Sequence, residues 1–189
     1  MSMFGLIRGY RSSDNTAQPL RLDKNTNTLI MIDYGHHAVH GGQSFNADFA
    51  IDAGGGDNVD ILLVTPDSDK YAHFEYEVEA EGEIDFGLYE AATPSNNGTL
   101  IQAENRNRNL GIPSTTLVYH TPTIAAGHEG TRMRHRHAGS KKLIGGSDRA
   151  VHEIILKRNT KYLIRVKNET GSDNYIAIRI DWYEHADIA

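Results

Sequence analysis

From Tyr71 to Ala80 the chain alternates with a period of two. Ala72, Phe74, Tyr76, Val78 and Ala80 fall on one side, and Tyr71, His73, Glu75, Glu77 and Glu79 on the other. Extended backbone gives this pattern a meaning, because successive side chains of a strand point to opposite faces, whereas a helix would scatter the same apolar residues around its girth. The run is therefore a strand with one face in a core and one in water, and a second layer must cover the apolar face.

Runs of similar length and texture follow one another along the chain. Strands are expected at 28–34, 45–51, 59–65, 71–79, 83–89, 115–119, 151–156, 162–168 and 175–183, separated by clusters of Gly, Asn, Asp and Pro. Many short strands with such punctuation point to an all-β protein, a two-sheet sandwich or barrel. One segment reads two ways. Ser147 followed by Val151, Ile154, Ile155 and Arg158 fits helical spacing with an N-cap, while Asn159-Thr160 before Tyr162, Ile164 and Val166 reads as a hairpin, and the strand is preferred. For 71–80 and its successor, a two-residue turn would put the apolar faces out of phase. A three-residue loop, Ala80-Glu81-Gly82, instead pairs Val78 with Ile84, Tyr76 with Phe86 and Phe74 with Leu88 in a hairpin. The weakly patterned stretch 121–146 reads as a functional loop. Residues 1–28, rich in Ser, Thr, Asn, Asp, Gln and Arg, read as an extended N-terminal arm, leaving 29–189 as the β-sandwich domain.

The 189 residues suit one domain plus an arm. The chain contains no cysteine, which excludes a disulfide framework, thiolate metal sites and cysteine nucleophiles. A net charge of -6 argues against a nucleic-acid coat. The longest apolar runs, 29–32 and 61–64, are far shorter than the ~20 residues that span a bilayer. No basic segment leads into a long apolar one near the start, so the chain reads as soluble and unprocessed, with no membrane or nucleic-acid partner.

The charge is unevenly placed. Within 67–90, Asp67, Asp69, Glu75, Glu77, Glu79, Glu81, Glu83, Asp85 and Glu90 face Lys70 alone, a local balance of -8. In the hairpin register Glu79 sits opposite Glu83 and Glu77 opposite Asp85, like-charge pairs that cost up to ~1 kcal/mol each. Glu75, Glu77, Glu79, Glu83 and Asp85 are thus candidate contacts for a basic partner, a weak Ca²⁺ surface or a solvated face. The opposite sign gathers at Arg132, Arg134, Arg136, Lys141 and Lys142, whose alternation would line one side of an extended segment and suit an acidic neighbour, such as the glutamate face of another copy. His135-x-His137 has the spacing of a cupin metal pair, but the Glu that follows in cupins is replaced by Ala138, Gly139, Ser140 and Lys141 among many cations. No metal or other cofactor is expected. The Gly-rich stretches 52–57 and 145–147 match neither a P-loop nor a dinucleotide fingerprint, no nucleophile elbow occurs, and Asn97-Gly98-Thr99 and Asn168-Glu169-Thr170 match the glycosylation sequon. No catalytic residues present themselves.

The run Leu63-Val64-Thr65-Pro66-Asp67-Ser68-Asp69-Lys70-Tyr71-Ala72-His73-Phe74 opens an ordered set of motifs: Phe86-Gly87-Leu88-Tyr89-Glu90, Asn105-Arg106-Asn107-Arg108-Asn109, Leu117-Val118-Tyr119-His120-Thr121-Pro122-Thr123, Gly139-Ser140-Lys141-Lys142, Glu153-Ile154-Ile155-Leu156-Lys157, Thr160-Lys161-Tyr162 and Asp181-Trp182-Tyr183-Glu184-His185. This order, from about Asp33 onward, resembles tailed-bacteriophage virion structural proteins of the head decoration, or cement, type. The resemblance implies a jelly-roll sandwich and a homotrimer on the capsid surface, made in the host cytoplasm. It implies the major capsid protein and the chain itself as partners, and no enzyme activity. It also implies a strand at 151–156. The longer N-terminal stretch and the Arg/His segment 132–137 depart from the family pattern. Two other readings stand beside it: a receptor- or glycan-binding jelly-roll module of the tail, which would need exposed aromatics, and a cupin-like metalloprotein.

Overall fold

In the computed structural model, which describes residues 8–10, 17–19, 25–26, 34–139, 146–149 and 153–186, a second antiparallel sheet covers the apolar face of the 71–80 run. Contacts divide the chain into two units, Met1–His37 and Ala38–Ala189. In the first, β1 (Arg8–Tyr10) and β2 (Ala17–Pro19) pair antiparallel, so the expected arm carries a short ribbon. Then come α1 (Tyr34–His40), β3 (Ser44–Ala53), β4 (Asn58–Val64), β5 (Lys70–Ala80), β6 (Ile84–Glu90), β7 (Thr99–Ile101), β8 (Glu104–Asn105), β9 (Leu117–His120), β10 (Thr131–Ala138), β11 (Gly146–Arg149), β12 (Ile154–Ile155), β13 (Lys161–Asn168) and β14 (Asn174–Ala186).

One sheet runs β10-β6-β13-β4-β9-β7 and the other β11-β5-β14-β3-β8, with β12 also on β5. Strands consecutive in sequence, β3 and β4, β5 and β6, β13 and β14, lie in opposite sheets. Each sheet holds a four-strand block, β10-β6-β13-β4 or β11-β5-β14-β3, in which outgoing strands alternate with returning ones. That interleaving is a jelly roll, the all-β fold expected.

The β5–β6 hairpin is a correction. The two strands do not pair. The connection through Glu81, Gly82 and Glu83 is a corner between sheets: β5 hydrogen-bonds β14, β11 and β12, and β6 hydrogen-bonds β13 and β10. The apolar partners nevertheless meet, since Tyr76 stacks on Phe86 at 4.9 Å across the sandwich. Alternation fixes which face is buried but not whether the facing residue belongs to the same sheet or the opposite one. Other corrections are smaller. Tyr34 opens a helix rather than closing a strand, and 28–33 lie outside the described residues. Only Ile154 and Ile155 of 151–156 form a strand, with 151–152 outside. The expected loop 121–146 contains β10.

The core is the set of inward positions of both sheets, including Phe45, Phe74, Tyr76, Phe86, Ile164, Ile178 and Trp182. A second, smaller cluster on the outer face of the first sheet holds Leu62, Leu163 and Ala92, with Ile124 of the following loop against it. It accounts for the unbroken run Ile61-Leu62-Leu63, because a central strand covered on both faces has no polar side.

One end of the sandwich is tied by two buried asparagines. Asn168 Nδ2 donates to the carbonyls of Ala53, Gly54 and Ser172 at 2.8–2.9 Å, and its Oδ1 accepts from the Thr170 amide and hydroxyl. Asn174 Oδ1 accepts from the Gly82 amide at 2.8 Å, and its Nδ2 donates to Asn168 Oδ1 at 3.3 Å. The Asn168-Glu169-Thr170 sequon is therefore a structural knot whose amide is wholly internal, with Asn168 at 0% exposure. Replacing Asn168 by Ala removes the buried bond to the Ala53 carbonyl and the acceptor that holds the Thr170 amide and hydroxyl, so a loss of about 2 kcal/mol is expected in denaturant unfolding. A loss below about 0.5 kcal/mol would show the knot to be dispensable.

Candidate functional site: two charged faces and a buried histidine cluster

The jelly-roll crossing divides the acidic segment. Glu75, Glu77 and Glu79 stay on the outer face of β5, while Glu83 and Asp85 go to the outer face of the other sheet. The like-charge pairs Glu79–Glu83 and Glu77–Asp85 of the hairpin register are therefore not made. In the ladder Glu77 lies between Arg179 of β14 and Arg149 of β11, Glu79 between Ala177 and Ser147, and Glu75 opposite Asp181. Arg179 Nε donates to Asp181 at 2.9 Å, and this bond, with the charges of Asp181, Asp48 and Glu77, holds the guanidinium above its ordinary pKa. Among the described residues Glu75, Glu77 and Glu79 make no ion pair.

On the first sheet the acids are matched. His135 Nε2 lies 2.6 Å from Asp85 Oδ1, and His137 Nε2 lies 2.7 Å from Glu83 Oε1. Each is a diagonal contact from the edge strand β10, two residues along from its ladder partner. Further in, Arg165 of β13 grips Asp60 with two bonds of 2.8 and 2.7 Å and Glu129 with one of 2.9 Å. This fork geometry anchors the loop before β10 to the sheet. Lys167 and Glu169 pair at 2.8 Å.

The candidate cations are not on one side. A bulge at Met133 shifts the register between Arg132 and Arg134, so that Arg132 stands opposite Tyr89, Arg134 opposite Leu88 and Arg136 opposite Phe86. Arg132 thus shares the outer face with the two histidines, and Arg134 and Arg136 take the other. Arg132 and Arg134 make no ion pair among the described residues. Lys141 and Lys142 lie outside the described residues.

The hydrogen bond that His137 donates to Glu83 and the charges of Glu83, Asp85 and Glu169 raise its pKa above the ordinary value, against desolvation. A raised folded pKa stabilises below the ordinary histidine value, and that contribution is lost as pH rises through the raised one. Hydrogen exchange, corrected for intrinsic rates, should accordingly show β10 better protected at pH 5.5 than at pH 8.5, and His137→Ala should shrink the difference. Equal protection at both pH values in the unaltered chain would refute the latch.

Two constellations escape sequence reasoning. On the outer face of β5 and β14, His73 and His185 are both buried, with ring centres 4.2 Å apart, and Tyr183 stacks on His73 at 4.5 Å. Glu153 bridges them, 2.6 Å from His73 Nδ1 and accepting from the Tyr183 hydroxyl at 2.7 Å. Desolvation pushes the Glu153 carboxyl up, but these bonds and the nearby imidazoles bring it below its usual value. The alternation put His73 on the outer side of its strand, but His185 lies beyond the expected 175–183 strand, and only the pairing of β5 with β14 brings them together.

The second is Glu184, inward-facing and 3% exposed. Its carboxylate accepts from the Ser114 and Thr115 hydroxyls at 2.7 and 2.6 Å, from the Thr115 and Thr116 amides at 3.0 and 2.8 Å, and from Trp182 Nε1 at 3.2 Å. Burial alone would raise its pKa, but the donors outweigh burial and hold it below the ordinary carboxylate range. Its stabilisation is present above the unfolded carboxylate value and lost as pH falls through the lower folded one. Glu184→Ala, which leaves these donors unmatched, should cost about 2–3 kcal/mol at pH 7. The deficit relative to the unaltered chain should narrow on acidification; a deficit independent of pH would contradict the charged state of the group.

Among the described residues no group of three or more His, Asp or Glu side chains is placed to hold a metal ion. His135 and His137 are bound to carboxylates of β6 rather than turned to a common point. The sites are built for holding strands together and for presenting charge. No protein-family model matches the chain, and no curated protein matches it at significant similarity.

Proposed function

We propose that this chain is a structural, non-enzymatic protein of a tailed-phage head, a decoration subunit whose work is adhesion. Its partners are the major capsid protein and further copies of itself, as a homotrimer. The reading starts from the ordered motifs of the sequence, and the jelly-roll interleaving is the fold they imply. The motifs fall where such a sandwich needs fasteners: Thr65 bonds the carbonyls of Lys157 and Thr160, Glu90 binds Lys157 and the Tyr162 hydroxyl, and Trp182 and Glu184 form the nest above.

The observation that carries the reading is the edge strand β10. It closes one end of a six-stranded sheet and presents Arg132 and Arg134 without ion-pair partners among the described residues. Many weak contacts of this kind, repeated over a shell, raise the stability of whatever they bridge by mass action. The tail-module reading would need exposed Trp or Tyr near carboxylates; Trp182 is 2% exposed, while Tyr175 is 45% exposed.

Sedimentation with undecorated phage heads tests the proposal. The full chain is expected to pellet with the shells, and a chain lacking residues 1–28 is expected to remain folded by circular dichroism and to bind less. Full chain left in the supernatant at every concentration would sink the reading, and undiminished binding after the deletion would remove the arm from it.

A further inference from the structure

The outer face of the β5-β14-β3 sheet holds an open trough of about 360 Å³. Its floor is the cross-strand pair Ala50 and Ala177, and its walls include Asp48, Glu77, Glu79 and Arg179. Two alanines side by side on adjacent strands leave a depression, because their neighbours in the ladder are long. Among the described side chains lining it, the cation Arg179 is already turned onto Asp181. The trough is thus apolar at the bottom and negative at the rim.

The edge strand of the other sheet carries the complementary shape. At the β10 bulge Met133 is left out of the ladder and is 42% exposed, flanked by Arg132 and Arg134. A bulge at a sheet edge re-aims the side chain it displaces. Here it sets out a flexible apolar side chain at the sheet edge, with Arg132 towards one face of the sheet and Arg134 towards the other. A thioether seats on a small apolar floor, and the flanking arginines reach carboxylates on both walls with bidentate geometry.

We infer that the trough of one copy receives the Arg132-Met133-Arg134 bulge of a second copy of this chain. The inference rests on the self-assembly part of the proposed function and names its contact. Donor and acceptor surfaces lie on different sheets, so the contact is heterologous: three copies related by a threefold axis close it into a ring, and a rotation that fails to close gives an open chain. The carboxylates of β6 are not alternative seats, because His135 and His137 of the same chain occupy Asp85 and Glu83.

Light scattering on the full-length chain, with no shells present, tests the contact. The unaltered chain is expected to give a closed multiple of the monomer mass at low salt and to dissociate towards monomer near 1 M salt, where screening falls to about 3 Å. Glu77→Lys with Glu79→Lys, and separately Arg132→Glu with Arg134→Glu, should each give monomer. All four positions are at the surface, and circular dichroism with thermal melting shows that the variants are folded. The milder Glu79→Gln and Arg132→Gln serve where a reversal is not. Mixing the two reversed chains should restore contacts between them as alternating open or even-numbered assemblies, since three copies cannot alternate around a ring, and Met133→Ala should weaken self-association about tenfold. A monomeric unaltered chain, assembly indifferent to both reversals, or no recovery on mixing would each overturn the contact. Shell sedimentation is scored separately, so a chain that self-assembles but ignores shells refutes the decoration reading alone. One that binds shells with both reversals harmless to assembly refutes only the contact.

Discussion

The buried pair Asn168 and Asn174 is the constraint on which the jelly roll depends. A sandwich in which consecutive strands change sheets must turn its backbone at the end of the core, where carbonyls and amides are shielded from water and still need partners. Three crossings, β3 to β4, β5 to β6 and β13 to β14, come together at this end, and their turn atoms are Ala53 and Gly54, Gly82, and Thr170 and Ser172. The two carboxamides answer all of them. An amide is suited to this because it donates and accepts at once without a charge to desolvate. A carboxylate in the same place could not satisfy the three carbonyls.

The sorting of charge follows from that crossing. Because β5 and β6 part at Glu81-Gly82-Glu83, an acidic run that would repel itself in a hairpin is distributed over two outer faces. On the first sheet, the acids find cations within the chain: Asp60 and Glu129 on Arg165, and Asp85 and Glu83 on the two histidines of β10. On the second, Arg179 stands among Asp48, Glu77 and Asp181, and Glu75, Glu77 and Glu79 make no ion pair among the described residues. One face is therefore spent on internal cohesion and the other is left with net negative charge, though both descend from one stretch of sequence.

What was legible in the sequence was whatever half-burial writes into it. The apolar faces of β5 and β6, with Phe74, Tyr76, Val78, Ile84, Phe86 and Leu88 inward, are as read, because each strand must place apolar groups on one side. Partner choice was not legible. Tyr76 and Phe86 meet as expected, yet across the core rather than along a ladder, and nothing local distinguishes the two. β10 escaped as a strand for a different reason: an edge strand whose two sides are largely wet has no apolar face to announce it, and Thr131 to Ala138 is charged or polar nearly throughout. Its alternation of cations was visible, but the bulge that turns Arg132 away from Arg134 is a property of the pairing with β6. The Glu184 nest and the His73–His185 stack likewise exist only once β14 lies beside β5 and the 114–116 segment passes over Trp182.

An exposed edge strand invites unwanted pairing, and charge along it is a common defence. β10 divides that task between two kinds of residue. Histidines at 135 and 137 reach back to Asp85 and Glu83, and the contact of His137 with Glu83 raises its pKa. Arginines at 132 and 134 keep their charge at every relevant pH and have no carboxylate to reach within the described chain. Were the types exchanged, the carboxylates of β6 would take permanent partners, and the cations facing outward would vanish near neutrality. As arranged, the histidine contacts secure the strand to its own sheet, and the permanent charges remain for whatever lies beyond it. The edge thereby repels indiscriminate strand pairing while staying attractive to one kind of surface, a negatively charged one.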